Sequence, residues 1–415
     1  MSVMKGLTLT EREQTRLQVL NRLAAQHLTA GEATTILGVS ERHVWRMMAA
    51  YRKEGAAALA HRNRGRQPSN TVAKETREKV VALARTRYAG LNHTHLTEMI
   101  AEREGVVLSR STVRNILLSA GIPSPRYRRP PRHRQRRQRL PQEGMLLQLD
   151  GSYHAWLEDR GPWLTLVLAV DDATGTAPNG VFREREDTIG YFELLRGIIA
   201  DHGIPLGVYT DRFSIFQSPA QRENSGATGD PPTQFGRAMR ELGVTQVFAH
   251  SPEAKGRIER ANGTFQDRLV SELRMAGASS LLEANEVLNE FLPRFNARFR
   301  VPAAQPGSAY RTPDQEQDID GVLCFKEKRK VARDNTIQYH GCTLQLFPGV
   351  DRTSYAGAKV EVQERLDGKV LVSYRGTILT PQEAPPLAAV LRSQADAPRP
   401  VEEDGLLAPE QLPEK

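Results

Sequence analysis

The chain has only two cysteines among its 415 residues, Cys324 and Cys342, and it has no run of 18 or more apolar residues. Two cysteines cannot build a disulfide framework, so we expect a reducing, cytoplasmic location. The missing apolar run argues against a transmembrane helix, and the N-terminus lacks the apolar stretch of a signal peptide. His93 and His95 have no partner pair with zinc-ligand spacing, so a zinc site is not expected. The composition therefore predicts a cytoplasmic protein of two to four domains.

Acidic residues are scarce in the first third of the chain. Residues 1–139 hold 27 Lys and Arg but only 10 Asp and Glu, whereas residues 140–415 hold 30 Lys and Arg and 39 Asp and Glu. The densest basic segment, residues 126–139, has eight Arg and no acid, and lies in a predicted linker, residues 123–141. This segment could be a solvated linker only, but we favour a phosphate-binding arm, because neutralised phosphates release counterions. Its predicted DNA-binding residues are Arg126, Arg128, Arg129, Arg132, Arg134, Arg136, Arg137 and Arg139.

Residues 1–68 have the pattern of a helix-turn-helix domain. Gly38 supplies the turn, and Ser40 caps the next helix, whose Val44 and Met48 would face the core. Paired helices also occur in proteins that bind no DNA, but the exposed face here is basic, which favours major-groove recognition. The predicted DNA contacts are Arg42, His43, Arg46, Arg62, Arg64 and Arg66.

A second helix-turn-helix domain is predicted at residues 69–122. Its last helix would begin with Ser109 or Ser111 as the cap and leave Arg110 and Arg114 free for phosphates or base edges. Its inward-facing residues are Val113, Ile116 and Leu117. Two tandem reading heads indicate a DNA site longer than one head covers.

Patterns typical of strands and of helices alternate along residues 142–302. The predicted strands are 145–156, 163–170, 177–183, 206–210 and 244–249. Two long helices, at 253–275 and 281–298, follow them. This order predicts an α/β domain with a mixed five-stranded sheet and helices on its faces.

Beyond this domain the signal becomes β. Residues 320–383 predict a small β-barrel in which Asp367-Gly368 forms a type I′ hairpin turn. Its predicted strands are 322–325, 336–339, 343–346, 359–363 and 370–374. The acidic tail, residues 384–415, is expected to be disordered. Residues 213–233 lack any helix or strand period, and we expect this loop to order on DNA.

Three acids organise the α/β domain: Asp150, Asp211 and Glu259. Asp150 and Asp211 each end a short apolar run that predicts a strand, and Glu259 lies in a helix that Pro252 would open. Each acid alone could be a surface or capping carboxylate. Together they could hold two divalent cations, and a two-metal site of this kind catalyses in-line attack on a phosphodiester. Oxygen ligands suit Mg²⁺ or Mn²⁺.

Three further polar residues share the helix face of Glu259: Lys255, Asn262 and Gln266. We expect this face to point Glu259 at the metals and the other three side chains at DNA beside them.

Asp171 and Asp172 are the competing acids of this domain. They lie in a predicted hairpin turn, where Asp normally makes local backbone hydrogen bonds. We therefore interpret both as structural.

Four segments together resemble the DDE transposases of bacterial insertion sequences, in particular the ISNCY-type group. They are residues 149–156, 170–175, 208–213 and 250–269, and the resemblance extends over roughly residues 10–380. It implies an RNase H-like core shared with retroviral integrases, with the three acids as the metal-binding triad. Related cores often carry Lys or Arg one or two turns after the Glu. Here those places hold Gly263 and Gln266, with Arg268 further along, so the residue that grips the DNA end stays open.

The resemblance implies an enzyme that binds the terminal inverted repeats of an insertion sequence and cleaves at its ends. The freed 3′-hydroxyl would then attack target DNA, with two Mg²⁺ or Mn²⁺ ions in each active site. Such a protein would act as a homodimer or larger assembly on double-stranded DNA, near the nucleoid of a bacterial cell and without a membrane partner.

Two rival functions remain open. The first is a catalytically silent, transposase-derived DNA-binding protein or repressor, against which the complete acid triad argues. The second is an RNase H-like nuclease that cuts without joining, against which the tandem heads and the terminal β domain argue.

Overall fold

The computed structural model describes residues 8–60, 71–125, 137–218, 232–249, 255–349 and 352–383. It divides into two compact units, Met1–Lys79 and Val80–Lys415. Among these described residues, no helix combines the length and apolarity needed to span a membrane. Both cysteines are free thiols, Cys324 buried and Cys342 exposed.

The N-terminal unit is a helix-turn-helix arrangement. Its helices are α1 (Glu11–Ala24), α2 (Ala30–Leu37) and α3 (Glu41–Glu54), followed by a short 3₁₀ helix, Gly55–Leu59. Gly38 ends α2 with a φ of 64°, the left-handed conformation that favours glycine. Val44 and Met48 are buried in the core, as predicted. Ser40 occupies the cap position of α3, but its side chain makes no capping hydrogen bond.

Three more helices follow along the chain: α4 (Lys74–Arg85), α5 (His93–Glu104) and α6 (Arg110–Ser119). The Ser109 hydroxyl accepts a hydrogen bond from the Thr112 N–H at 3.1 Å, so Ser109 rather than Ser111 caps α6. The inward-facing residues of α6 are buried as predicted: Val113, Ile116 and Leu117.

A mixed five-stranded sheet forms the centre of the second unit. Its strands are β1 (Leu147–His154), β2 (Leu164–Asp171), β3 (Gly180–Arg183), β4 (Gly207–Thr210) and β5 (Thr245–Phe248). The strand order is β3-β2-β1-β4-β5, with β1 antiparallel to β2 and parallel to β4. The predicted mixed sheet is therefore confirmed.

Helices cover both faces of this sheet. Helices α7 (Thr188–Asp201) and α8 (Gln234–Glu241) pack on the face that includes Leu147 and Leu149. The long helices α9 (Gly256–Ala276) and α10 (Leu281–Phe299) pack on the opposite face. Because side chains alternate along a strand, Gln148, Asp150 and Ser152 of β1 lie on the α9 face.

The described part of α9 begins at Gly256, with Lys255 at its N-cap position. The predicted start at residue 253, after Pro252, lies outside the described residues. The first turn is held to the sheet by the Ile258 N–H, which donates to Gln148 Oε1 at 3.2 Å. The far end is closed by Gly277, whose φ is 71°.

The C-terminal region consists of two small antiparallel sheets, so a closed barrel is not confirmed. One sheet has the order β11-β10-β9-β6 and the other β12-β8-β7. Their strands are β6 (Phe325–Lys330), β7 (Thr336–Tyr339), β8 (Cys342–Gln345), β9 (Lys359–Glu364), β10 (Val370–Tyr374), β11 (Thr377–Leu379) and β12 (Gln382–Glu383). One apolar cluster, which includes Ile337 and Val362, draws on both sheets.

Two local predictions in this region are wrong. The strand predicted at 322–325 begins later than predicted. Val322 ends a short helix, α11 (Ile319–Val322), which the Asp318 carboxylate caps by accepting from the Gly321 N–H, and β6 begins at Phe325. The β9–β10 hairpin exists, but its turn is not type I′, because Gly368 alone has a positive φ there. The expected tail disorder falls outside the described residues.

Candidate active site

Asp150 and Asp211 lie side by side at the centre of the sheet. Leu147 of β1 pairs with Val208 of β4, and Gln148 pairs with Tyr209. Each aspartate comes two residues after this second pair, so the parallel register places them opposite each other. Strand β4 ends at Thr210, and Asp211 therefore lies where the chain leaves the sheet. Asp150 lies in the middle of β1, which continues to His154.

Lys255 bridges the two carboxylates. Its ammonium nitrogen is 2.7 Å from Asp150 Oδ1 and 3.6 Å from Asp211 Oδ2. Only 10% of the Lys255 side chain is exposed, against 46% for Asp211. Sequence reasoning placed this lysine on DNA. In the structure its charge is directed instead at the acid pair.

The polar face of α9 packs against β1 as predicted. Asn262 Nδ2 donates to Asp150 Oδ2 at 2.9 Å, and Gln266 Nε2 lies 3.1 Å from the Ser152 hydroxyl. Glu259 is on this same face, between Lys255 and Asn262, but its side chain is exposed. It has no hydrogen-bond or ion-pair partner within the described part of the chain. The third acid therefore lies on the helix face that contacts Asp150, and no group among the described residues holds its carboxylate.

Asp150 is in an electrostatically demanding position. Burial raises the pKa of its carboxyl, against the lowering by the Lys255 ammonium, and the neighbouring Asp211 charge raises it further. Asn262 Oδ1, on the amide that donates to Asp150, is buried and has no partner among the described residues. Buried polar atoms without partners are rare and commonly mark a missing ligand or water.

A fourth acid, Glu186, was missed by sequence reasoning. It lies just before α7, and the Tyr191 hydroxyl donates to its Oε1 at 2.5 Å. A Cβ on Gly151 would lie 2.5 Å from Glu186 Cδ, so the glycine after Asp150 makes room for this carboxyl. Burial raises the pKa of Glu186, and the charges of Asp211 and Asp150 add to that rise. The only sequence signal for this approach was the glycine itself.

The residues present fit a divalent cation in part. Asp150 and Asp211 supply carboxylate oxygens, and the unpartnered Asn262 Oδ1 is a further oxygen, a donor set that suits Mg²⁺ or Mn²⁺ rather than a soft metal. No three His, Cys, Asp or Glu side chains in the described ranges are already arranged around a metal position. Glu259 would have to turn toward the pair to complete a triad.

Asp171 and Asp172 are engaged structurally. Asp171 Oδ1 accepts from the Thr174 N–H at 2.7 Å, and Oδ2 accepts from the Gly144 N–H at 2.9 Å. Asp172 is fully buried and accepts from the Leu140 N–H at 2.8 Å. These contacts support the structural interpretation of both acids.

Asp172 also fixes two basic segments to the sheet. Arg257 of α9 donates to Asp172 Oδ1 at 2.9 Å, and Arg137 pairs with the same oxygen. Arg139 donates to the Asp172 carbonyl at 3.0 Å. Two arginines that sequence reasoning assigned to DNA, Arg137 and Arg139, thus anchor the end of the linker in this structure.

The remaining predicted DNA contacts divide into two groups. Arg42, Arg46, Arg110 and Arg114 are exposed on α3 and α6, and His43 Nδ1 lies 2.8 Å from a guanidinium nitrogen of Arg46. The others lie outside the described residues: Arg62, Arg64, Arg66, Arg126, Arg128, Arg129, Arg132, Arg134 and Arg136.

Arg268 is not available to grip a DNA end. Its guanidinium pairs with Glu98 of α5 and lies 4.9 Å from the ring centroid of Phe299.

Helix α5 is attached to the two long helices of the sheet domain. Asn92 Nδ2 donates to Asp267 at 2.7 Å, and Arg298 pairs with Glu102 at 2.6 Å. Glu272 is buried in the middle of this contact. Its carboxylate oxygens lie 3.3 Å from His95 Nε2, 3.2 Å from Arg103 and 3.2 Å from Arg294. The same helix, α9, therefore contacts both the acid pair and the second helical domain.

Comparison with protein families finds a Homeodomain-like domain at residues 10–60 and another at residues 43–117. A putative transposase, y4bF, of Sinorhizobium fredii is 34% identical over 374 residues, covering 89% of this chain and 80% of the relative. The transposase for insertion sequence IS1202 of Streptococcus pneumoniae is 34% identical over 407 residues, covering 89% of this chain and 86% of the relative.

Among solved structures, one similar chain belongs to the simian T-cell lymphotropic virus intasome in complex with the PP2A regulatory subunit B56 gamma. It has a TM-score of 0.31 and 14% identity, and covers 73% of this chain and 99% of its own. The HTLV-2 integrase catalytic core domain in complex with magnesium has a TM-score of 0.26 and 19% identity, and covers 35% of this chain and 85% of its own.

Proposed function

The chain belongs to the transposases of insertion sequences, and on that premise we propose that it cuts the ends of its element and joins them to target DNA. The observation that carries this proposal is the position of Asp150, within β1, beside Asp211, which directly follows β4. Lys255 contacts both carboxylates, and Asn262 on the polar face of α9 donates to Asp150.

Asp150, Asp211 and Glu259 would hold two divalent cations. When bound, Mg²⁺ or Mn²⁺ would lower the pKa of the attacking water or 3′-hydroxyl and stabilise the leaving oxygen. Asp150 and Asp211 are already adjacent. Glu259 is exposed on the correct helix face, so a change of its side-chain rotamer is the movement required of it.

The helical heads would bind the terminal inverted repeats. Arg42 and Arg46 on α3, and Arg110 and Arg114 on α6, are exposed and could reach phosphates or base edges. Because α5 is fixed to α9 through Glu272, the second head would hold its repeat at a set position relative to the acid pair. Two ends must be joined, so a homodimer or larger assembly on DNA is expected.

The test is a strand-transfer assay with the DNA that flanks the gene as donor and a plasmid as target, in Mg²⁺ or Mn²⁺. Wild type should give joined product, whereas Asp150→Asn, Asp211→Asn and Glu259→Gln should each lose it. Asp159→Asn, at an exposed position of the same domain, is the control and should retain activity.

The rival functions predict other results. Specific binding without cleavage in either metal would favour a silent DNA-binding protein, and cleavage without joining would favour a nuclease. Activity that survives Glu259→Gln, with the two Asp variants inactive, would show that a different third acid is used.

A further inference from the structure

The Lys255 ammonium lies at the position where a cation would neutralise the acid pair. It is 2.7 Å from Asp150 Oδ1 and 3.6 Å from Asp211 Oδ2, and its side chain is nearly buried. The second oxygen of Asp150 accepts from Asn262. Both oxygens of Asp150 are therefore already engaged by side chains of the helix segment that also carries Glu259.

We propose that Lys255 is the resident counterion of Asp150 and Asp211, and that it competes with the divalent cation for this pair. The inference rests on the proposed function, because it concerns how the same site is loaded. Oxygen ligands bind Mg²⁺ at about 2.0–2.1 Å, so a cation on Asp150 Oδ1 would meet a positive charge within a few ångströms. Loading the site thus requires the ammonium to move.

The position of Lys255 allows that movement. It is the N-cap of α9, with φ −91° and ψ 7°, and is not part of the regular helix. Its four-carbon stem lets the ammonium swing while the helix stays anchored by the contacts of Gln148 and Asp172 with the residues that follow. The displaced charge would then lie beside the acids, where the phosphate of a bound DNA end must come. Lys255 is in this way a positioning residue, which exchanges a carboxylate partner for a phosphate.

A plain structural ion pair predicts something different. It would stabilise the protein equally with and without metal, and its removal would not change the affinity for metal. Lys326 offers a matched control, because its nitrogen also lies between two carboxylates, 2.8 Å from Glu241 and 3.7 Å from Glu361, and its side chain is 12% exposed.

The experiment uses full-length wild type, Lys255→Met and Lys326→Met, each melted in chelator and in saturating Mn²⁺. Tryptophan emission is sensitive to unfolding of the sheet domain, because Trp156 is buried there. In chelator both variants should melt lower than wild type, by about 5 °C or more. Mn²⁺ should remove most of the difference in melting temperature between Lys255→Met and wild type. It should leave the difference between Lys326→Met and wild type unchanged. Calorimetry should show Mn²⁺ binding to Lys255→Met about tenfold or more tightly than to wild type.

Several outcomes would overturn the inference. One is a lowered melting temperature of Lys255→Met that Mn²⁺ does not restore. Another is equal Mn²⁺ affinity of wild type and Lys255→Met, while wild type still joins DNA ends. If none of the three proteins binds Mn²⁺, the proposed use of a metal is overturned, and the inference with it. If Lys255→Met does not fold, Lys255→Gln retains a donor to Asp150 without the charge and is measured in its place.

Discussion

Replacing Asp172 by Asn should destabilise the sheet domain without touching the acid pair. The Asp172 carboxylate is fully buried and accepts from Arg257, Arg137, Gln148 and the Leu140 N–H. The amide keeps one acceptor oxygen but leaves the Arg257 charge, only 15% exposed, without its partner. Removing one member of a buried ion pair costs about 3–5 kcal/mol. We take the lower end, about 3 kcal/mol, because Arg137 is more than a third exposed and its contact is partly screened.

The assay is thermal unfolding followed by the emission of tryptophan. For a domain of roughly 150–250 residues, each kcal/mol shifts the melting temperature by about 2–4 °C, so Asp172→Asn should melt about 6–12 °C lower. Asp201→Asn, at an exposed helix end, should shift it by no more than about 2 °C. Mn²⁺ affinity should stay near the wild-type value, provided that the variant is folded at the temperature of measurement. A melting temperature no lower than that of Asp201→Asn would refute the role of Asp172 as an anchor, and lost metal affinity in folded protein would make it part of the metal site.

Three further predictions concern stability and DNA binding. Burial raises the pKa of Glu272, but the hydrogen bond from His95 and the charge of Arg294 outweigh it and hold that pKa below its usual range. Its stabilisation is therefore present above the ordinary pKa of Glu and lost as the pH falls through the lower folded value. Melting temperature against pH should decline less steeply in acid for Glu272→Gln than for wild type; equal slopes would contradict this. If Arg114 contacts a phosphate, Arg114→Ala should weaken DNA binding similarly for all sequences. It should also reduce the slope of log K against log salt concentration by about 1. Relaxed specificity at one position of the site would instead indicate a base contact. Gly203→Ala should lower the melting temperature more than Gly277→Ala. A Cβ on Gly203 would lie 2.7 Å from the Arg311 carbonyl oxygen, whereas Gly277 faces open space, so equal shifts would contradict the close approach.

The sheet and its acid pair could be predicted because the necessary information is local. The apolar runs before Asp150 and Asp211 are typical of buried strands, and the parallel register of β1 with β4 brings the two acids together. The structural role of Asp171 was local in part, because the turn supplies the Thr174 N–H that donates to one oxygen of its carboxylate. The Gly144 N–H, which donates to the other oxygen, comes from a distant segment.

Contacts between segments distant in the sequence could not be predicted in the same way. Glu186 reaches the acid pair through the space left by Gly151, which no periodicity of the intervening chain reveals. Which arginines of the linker pair with Asp172 depends on where the linker ends in space, and all eight look alike in sequence. Lys255 shares a helix face with Glu259, but the pattern does not say whether it points at DNA or at Asp150.

The terminal region illustrates a second limit. Its strands were largely located from β-branched and aromatic runs. Their grouping into sheets depends on long-range pairings such as β6 with β9, which local patterns do not reveal. The strand predicted at 322–325 begins only at Phe325, because the side-chain cap of Asp318 holds Ile319–Val322 in a short helix.

Direct attack by the 3′-hydroxyl at the acid pair can be tested with two pre-cleaved donor ends that differ in a single oxygen atom. One carries a 3′-hydroxyl and the other a 3′-deoxy terminus, and each is incubated with wild-type protein, Mg²⁺ or Mn²⁺ and a target plasmid. Joined product is expected from the 3′-hydroxyl end alone, and none from that end with Asp150→Asn. Equal joining of the 3′-deoxy end, or joining that persists in Asp150→Asn, would contradict direct attack by the 3′-hydroxyl at this acid pair.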